Sequence, residues 1–346
     1  MLIAGAGMAG LVAAARAREL GAKPVVLEKG SRPGGSMLLS SGVVWRYRSL
    51  DEFRAQCPGG DPRLQELVHG RLDDALAWLE SLGAWVLTRE TRNPLTAGSR
   101  FDPVDLTELL ARAARDVHLD RPLPTEPEPP VVLATGGFAA RFARKHGLLL
   151  RSNAWSEGDG MDFALVRGAA LTDGMEEFFG RAMPLPPWWG EEDFVQLAQL
   201  YGRYALVYDE HGARIEPDPN DWSETRLVQE IARRGGSAWY LVDADALTKP
   251  TPYGTIGEVI ERARRGGGRV WKRDGRLAVR VAAAVTHTIG GVRVDPQARV
   301  LDERGEPIEG LYAAGVDAGG IATGGYASGL AAALVLGLTA AENAAT

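Results

Sequence analysis

The residues best placed to do chemistry open the chain. Gly5, Gly7 and Gly10 stand in the run Gly-Ala-Gly-Met-Ala-Gly, and a carboxylate, Glu28, follows about twenty residues on. A glycine at 5 permits a tight turn. One at 7 lets the backbone approach a ligand, and one at 10 lets a helix lie close to a strand. The N–H groups at such a helix start attract phosphate oxygens, and the carboxylate accepts hydrogen bonds from ribose hydroxyls. The chemistry implied is the holding of a dinucleotide. A carboxylate at 28 repels a 2′-phosphate, which argues against NADP.

These residues meet only if the right elements carry them. Met1–Ala4 is apolar enough for a short strand, an Ala-rich helix runs to Leu20 and stops at Gly21, and Pro24–Leu27 reads as a second strand. Together they make a βαβ unit. A second signature lies near the other end, where a strand at Leu311–Ala314 delivers Gly315 and then Asp317. In two-signature flavoproteins such an acid bonds the ribityl chain. A simple NAD dehydrogenase needs the first site alone, so the pairing of both ends points to FAD.

Between the two signatures, residues 31–45 read as a Gly/Ser-rich loop and 64–83 as a helix closed by Gly83. Asp105 and Glu108 suggest a capping-box start to a helix through Ala114. Val117–Leu119 reads as a short strand, while the prolines of 121–130 exclude a central one. Val131–Ala134 is a compact buried strand leading into Thr135-Gly136-Gly137. A helix is expected from Asp159 to about Arg167. From about residue 182 prolines and aromatic residues crowd the chain, so 182–286 reads as an inserted domain. A hairpin is expected over 291–302 and a last helix over 328–345.

The chain has 346 residues, 45% apolar and 24% charged, with net charge −6. That suits a globular protein of two domains and lends no electrostatic support to a nucleic-acid or anionic-membrane partner. Cys57 is the only cysteine, so no internal disulfide or Cys-based metal cluster is expected, and no metal ligands are assigned. The apolar run 330–341 is short and reads as a buried helix. With the chain opening directly on a strand, a signal peptide is not expected and a cytoplasmic location is.

The sequence resembles the FAD-dependent fumarate reductase/succinate dehydrogenase flavoprotein superfamily and its 3-ketosteroid dehydrogenase relatives. The resemblance rests on GAGMAG (5–10), LEKG (27–30), GGS (34–36), SSGVVW (40–45), VVLATGGF (131–138), GDGMDFALVRGAAL (158–171), HTIGG (287–291) and GLYAAGVDAGG (310–320). It implies an α/β fold, with an FAD/NAD(P)-binding Rossmann-like domain (1–181 and 287–346) carrying an inserted α+β capping domain (182–286). The implied FAD contacts are Gly5, Ala6, Gly7, Ala9, Gly10, Glu28, Lys29, Gly35, Ser36, Gly42, Ala134, Thr135, Gly136, Asp159, Asp317, Ser328 and Leu330. Residues 36–48 lack the histidine that joins FAD covalently in membrane-bound members, so noncovalent FAD is expected.

The reaction implied is hydride transfer between flavin N5 and a carbon α or β to a carbonyl or carboxylate, making or reducing a C=C bond. Substrate would sit where cap and FAD domain join. His287, in HTIGG, falls where the family hydrogen-bonds substrate, and Arg226 where it places a helix arginine that donates a proton. Arginine is a poor acid, so carboxylates such as Glu224 or Asp221 would have to assist. Fumarate reductases also clamp a substrate carboxylate with an arginine before the last helix. The equivalent residue here is Tyr326, which removes a bidentate fork and argues against fumarate. A phenol there suits a larger or less charged molecule, such as a cyclic ketone, and makes Tyr326 an acid/base candidate. The shortened stretch before residue 131 suggests a more open adenine end. A small-molecule substrate and an unidentified electron partner are expected. A flavin-binding protein with weak or lost catalysis and a flavin-free NAD enzyme are the other readings.

Overall fold

A computed structural model describes residues 1–198 and 200–345. The chain forms two compact units: Met1–Ala139 with Asn153–Glu177 and His287 to the C-terminus, and Ala140–Ser152 with Phe178–Thr286. Compared with the boundaries read from the sequence, the second unit begins at Phe178 and takes Ala140–Ser152 as well. The reason is local. Phe142 packs on Phe178 with ring centroids 5.4 Å apart, and Leu149–Leu150 pairs in parallel with Ala284 and Val285.

The first unit is built on a six-stranded sheet. Its order is Arg299–Leu301, Pro307–Ala313, Val131–Leu133, Leu2–Ala4, Val25–Leu27 and Val117–His118, parallel except at the first pair. Crossovers in a parallel sheet bury both faces, so these strands are short apolar runs; Ile3, Val26 and Val132 are wholly buried. The Met8–Glu19 helix follows the first strand and packs against the last helix, Gly329–Ala344. Both carry small residues at the contact. A Cβ on Gly337 would lie 2.7 Å from the Ala9 carbonyl oxygen. A Cβ on Gly10 would collide with the Gly5 carbonyl oxygen and sit 3.3 Å from Ile3 Cγ2, so helix and strand touch here through backbone.

Several local expectations are corrected. The helix expected to start at a capping box runs Pro103–Ala114 and is capped by Asp102, which accepts from the Val104 and Asp105 amides at 2.8 and 3.1 Å. Proline at its first position costs no hydrogen bond there. The hairpin expected over 291–302 is reduced to Arg299–Leu301, which pairs with Pro307–Ala313; isolated bridges join Val294 to Val300 and Val292 to Ala318. The helix expected to Arg167 ends at Val166, and residues 35–37 of the glycine-rich loop form a 3₁₀ turn.

The second unit is an antiparallel sheet in the order Arg214–Ile215, Leu206–Asp209, Ser237–Val242, Arg276–Thr288 and Val270–Arg273, with Leu149–Leu150 and Phe178–Pro184 also on the long strand. It carries the helices Thr225–Arg233 and Ile256–Arg265. Strand Ser237–Val242 alternates half-buried and buried residues, as expected for a sheet with one covered face.

The glycines of the first turn offer a direct test. Nothing lies within 4 Å of a Cβ built on Gly7. Gly10→Ala should destabilise the apoprotein by about 1–3 kcal/mol, whereas Gly7→Ala should leave it within about 0.5 kcal/mol. Urea melts of the two variants check this ordering.

Candidate functional site

The N-terminal turn is held by the acid expected to face a ribose. Glu28 is 6% exposed. Its Oε2 accepts the Ala6 amide at 2.8 Å and its Oε1 the Gly30 amide at 2.7 Å. A carboxylate has about four lone-pair sites, so each oxygen keeps capacity for a further donor. The Met8–Glu19 helix has Gly7 as its N-cap, with no side chain capping its first turn. The space beside Gly7 is open, and a Cβ on Gly136, at φ +89°, would likewise meet nothing. Open backbone at both turns, a capless helix start and a buried acceptor carboxylate form a cradle that fits a dinucleotide.

The loop carrying Gly35 and Ser36 folds onto this turn. Gly34 donates to the Ala6 carbonyl at 2.8 Å, and a Cβ on Gly35 would lie 3.3 Å from the Gly7 Cα. Ser36 Oγ accepts the Asn153 amide at 3.4 Å. Gly42, at φ +70°, lies so close to Phe101 that a Cβ would overlap its carbonyl oxygen. Ala134 continues the central strand by donating to Ala4 at 2.8 Å. Lys29 and Asp159, both half-buried, form an ion pair with each other.

Asp317, expected to contact the ribityl chain, is held against the Thr135–Gly137 turn. It is 1% exposed. It accepts the Thr135 amide, the Thr135 hydroxyl at 2.9 Å and the Gly137 amide at 2.9 Å. Burial pushes its carboxyl above the ordinary range, against the pull of those backbone donors. Its geometry is that of a brace for the Thr135–Gly137 turn.

Two of the three substrate candidates lie in the first unit, and the fold brings them together. The His287 and Tyr326 rings have centroids 6.3 Å apart. The start of the last helix is beside them: Ser328 caps it by accepting the Ala331 amide at 3.2 Å, and a Cβ on Gly329 would lie 3.4 Å from His287 Nε2. Leu330 is half-buried in its first turn, ahead of a wholly buried stretch. His287 Nδ1 lies 3.1 Å from the Thr288 carbonyl oxygen, which sets that nitrogen as the protonated one and leaves Nε2 as the acceptor of the neutral ring.

The loop bearing Tyr326 is fastened by residues that sequence spacing did not single out. The buried Tyr47 hydroxyl donates to the Tyr326 carbonyl at 2.7 Å. Trp45 packs edge-on against both Tyr47 and Tyr326, with centroids 5.3 and 5.5 Å away. Glu177 Oε2 accepts the Gly324 amide at 2.7 Å, and Gln65 Nε2 donates to the Ile321 carbonyl at 3.2 Å. These partners lie more than a hundred residues away in the chain, so no local pattern announces them.

Arg226 lies in the second unit, on the Thr225–Arg233 helix, and is exposed. Its Nη1 pairs with Asp218 Oδ2 at 2.6 Å, and its amide donates to Asp221 Oδ2 at 2.7 Å. Asp221 therefore meets its main chain. Glu224 is buried, accepts the Arg203 amide at 2.9 Å and lies 3.8 Å from the Arg181 guanidinium.

A family model for the FAD binding domain matches residues 1–128 and 128–330. The chain belongs to this family. It is a member of an FAD-dependent oxidoreductase family, and its cofactor is FAD. The chain is 23% identical over 448 aligned positions to the probable fumarate reductase Ifc3 of Shewanella frigidimarina, covering 100% of this chain and 74% of that protein. It is 22% identical to a fumarate reductase (cytochrome) of the same organism, covering 91% and 71%. In fold it is similar to an open conformation of a flavocytochrome c3 fumarate reductase (TM-score 0.73, 21% identity, 99% and 77% covered). It is similar also to a 3-ketosteroid Δ1-dehydrogenase of Sterolibacterium denitrificans (TM-score 0.75, 16% identity, 99% and 98% covered). Among the described residues no helix is long and apolar enough to cross a membrane, and no cluster of His, Cys, Asp or Glu could hold a metal ion.

Because Glu28 satisfies the amides of Ala6 and Gly30 and so shapes the first turn, Glu28→Ala should do two things. It should lower apoprotein stability by about 1–3 kcal/mol and weaken FAD retention. Tyr47→Phe, which keeps the ring and loses the bond to Tyr326, should cost about 0.5–1.5 kcal/mol. Denaturant unfolding and the ratio of flavin to protein absorbance check both.

Proposed function

We propose that this protein binds FAD noncovalently and oxidises or reduces a carbon–carbon bond next to a carbonyl or carboxylate, on a small substrate other than fumarate. The first unit, 1–139 with 153–177 and the segment from 287 on, is the FAD-binding domain, and the second unit, 140–152 with 178–286, is the capping domain. FAD supplies the two-electron chemistry when bound; the chain supplies orientation, polarisation and proton handling. The glycine cradle and Glu28 hold the dinucleotide, with Lys29, Asp159, Ser36 and the Thr135-Gly136 turn as its further contacts.

The observation that carries the substrate reading is the pairing of Tyr326 with His287 at the start of the last helix. A phenol donates one hydrogen bond and gives up a proton, as a carbonyl substrate requires, but it cannot grip a dicarboxylate as a guanidinium does. His287 orients the substrate oxygen by donating from Nε2, which requires the ring to carry a second proton because Nδ1 is held by the Thr288 carbonyl. The helix start places a positive dipole end beside them, which favours negative charge developing there. Arg226 is a second proton-transfer candidate. Its guanidinium is paired with Asp218, so its use requires that pair to open.

Acid precipitation of the yellow protein should leave the flavin in the supernatant. After anaerobic photoreduction, cyclic enones should reoxidise it faster than fumarate does; the opposite order overturns the substrate reading. Reoxidation by oxygen with no response to any enone or enoate would favour a flavin-binding protein without this turnover. Tyr326→Phe should lower turnover by about 10²-fold or more with flavin content unchanged. Arg226→Gln should lower turnover as strongly if Arg226 delivers the proton; equal activity removes it from the mechanism.

A further inference from the structure

Residues 153–160 form a strap across the nucleotide turn, and its first five residues, 153–157, precede the 158–171 motif. It is moored at both ends. Asn153 donates its amide to Ser36 Oγ, while Gly158 donates to the Gly137 carbonyl at 3.0 Å and Gly160 to Thr135 Oγ1 at 3.1 Å. Asn153 Oδ1 in turn accepts the Trp155 amide at 3.0 Å, and the Ser156 hydroxyl donates to the Asn153 carbonyl at 2.7 Å. This side-chain turn fixes the direction in which Trp155 leaves the backbone.

Trp155 lies on Gly30. A Cβ built on Gly30 would be closest to Trp155 Cε3 and 2.7 Å from both ring neighbours of that atom, Cδ2 and Cζ3. An edge-on approach to Cε3 would push both neighbours well beyond 2.7 Å, so the point sits over the ring face. The indole therefore rests flat on the Gly30 backbone, and glycine is needed there because any side chain would displace it. Gly30 is two residues past Glu28 and gives that carboxylate its amide. Trp155 remains half-buried, and the Lys29–Asp159 pair is contributed by the neighbours of the same two segments. A large flat apolar side chain is thus held just beyond the acid that marks the adenosine ribose.

We propose that Trp155 walls the adenosine end of the bound FAD and contacts its adenine–ribose half, closing an end that the short Pro-rich stretch 121–130 leaves without a strand. This rests on the assignment of FAD as cofactor and adds a residue to its site. Aromatic contact with a nucleobase is worth enough to read out, typically ~1–3 kcal/mol per base. Tryptophan emission provides a signal independent of turnover.

Deflavinated protein should be titrated with FAD, and ADP used as a competitor, for wild type, Trp155→Phe and Trp155→Ala. Trp155→Ala is expected to raise the ADP inhibition constant about tenfold or more, as loss of one stacked base implies. Trp155→Phe, which keeps a flat ring, should recover most of it. Addition of ADP should quench wild-type tryptophan emission by an increment missing in Trp155→Phe, while the visible spectrum of bound flavin stays the same in all three. Equal ADP affinity in Trp155→Ala and wild type, or an equal quench in Trp155→Phe and wild type, overturns the proposal while FAD binding itself stands. Should Trp155→Ala fold poorly, the quench comparison with Trp155→Phe still decides. Wild-type protein that takes up no FAD at all would overturn the cofactor assignment together with it.

Discussion

The first unit depends on one close approach of backbone to backbone. At Gly10 the opening helix touches the Gly5 carbonyl with no side chain between them. That contact sets the helix low on the sheet, where its small residues Ala9, Ala13 and Ala17 are buried. The same economy of side chains recurs where Gly337 of the last helix meets Ala9. Two helices made largely of Ala, Gly, Leu and Val pack closely because few long side chains hold them apart. The consequence for chemistry is positional. The starts of both helices, one at Gly7 and the other at Ser328, are carried by the same packed unit, so the uncapped amides of the first helix and the His287–Tyr326 pair share one framework.

Around that framework, buried polar groups act mainly as braces. Glu28 closes the first turn through Ala6 and Gly30; Asp317 closes the Thr135–Gly137 turn; Tyr47, Gln65 and Glu177 fasten the loop that bears Tyr326. Each spends its hydrogen bonds on backbone donors or acceptors that would be costly to leave buried and unmade. The Asp317 carboxylate accepts three donors from Thr135 and Gly137 and so fixes the shape of that turn. Glu28 accepts two amides and keeps lone pairs for a further donor.

The legible parts of this chain were those with a local cause. The Gly-Ala-Gly-Met-Ala-Gly turn, the strand–helix–strand order and the capped last helix follow from backbone geometry and apolar periodicity over a few residues. Element ends were less legible. The helix at 103–114 takes Asp102 as its cap because proline at the next position has no amide to satisfy, and that outweighed the capping-box pattern two residues on. Residues 140–152 fell within the 1–181 domain read from the sequence, yet an aromatic contact and a two-residue parallel pairing give them to the second unit. Such pairings involve partners far along the chain and leave no periodic trace.

The amino-acid order alone pointed to an FAD-binding fold, because glycine spacing and a terminal acid are properties of consecutive residues. It also placed Tyr326 and not an arginine in the loop before the last helix, since the identity of a residue needs no coordinates. Tertiary structure alone decided what those residues face. It turned Asp317 inward, set Arg226 against Asp218 on an exposed helix face, and laid Trp155 on Gly30. The physical reason is that direction and burial of a side chain are fixed by packing between segments distant in sequence, and no local propensity encodes that packing.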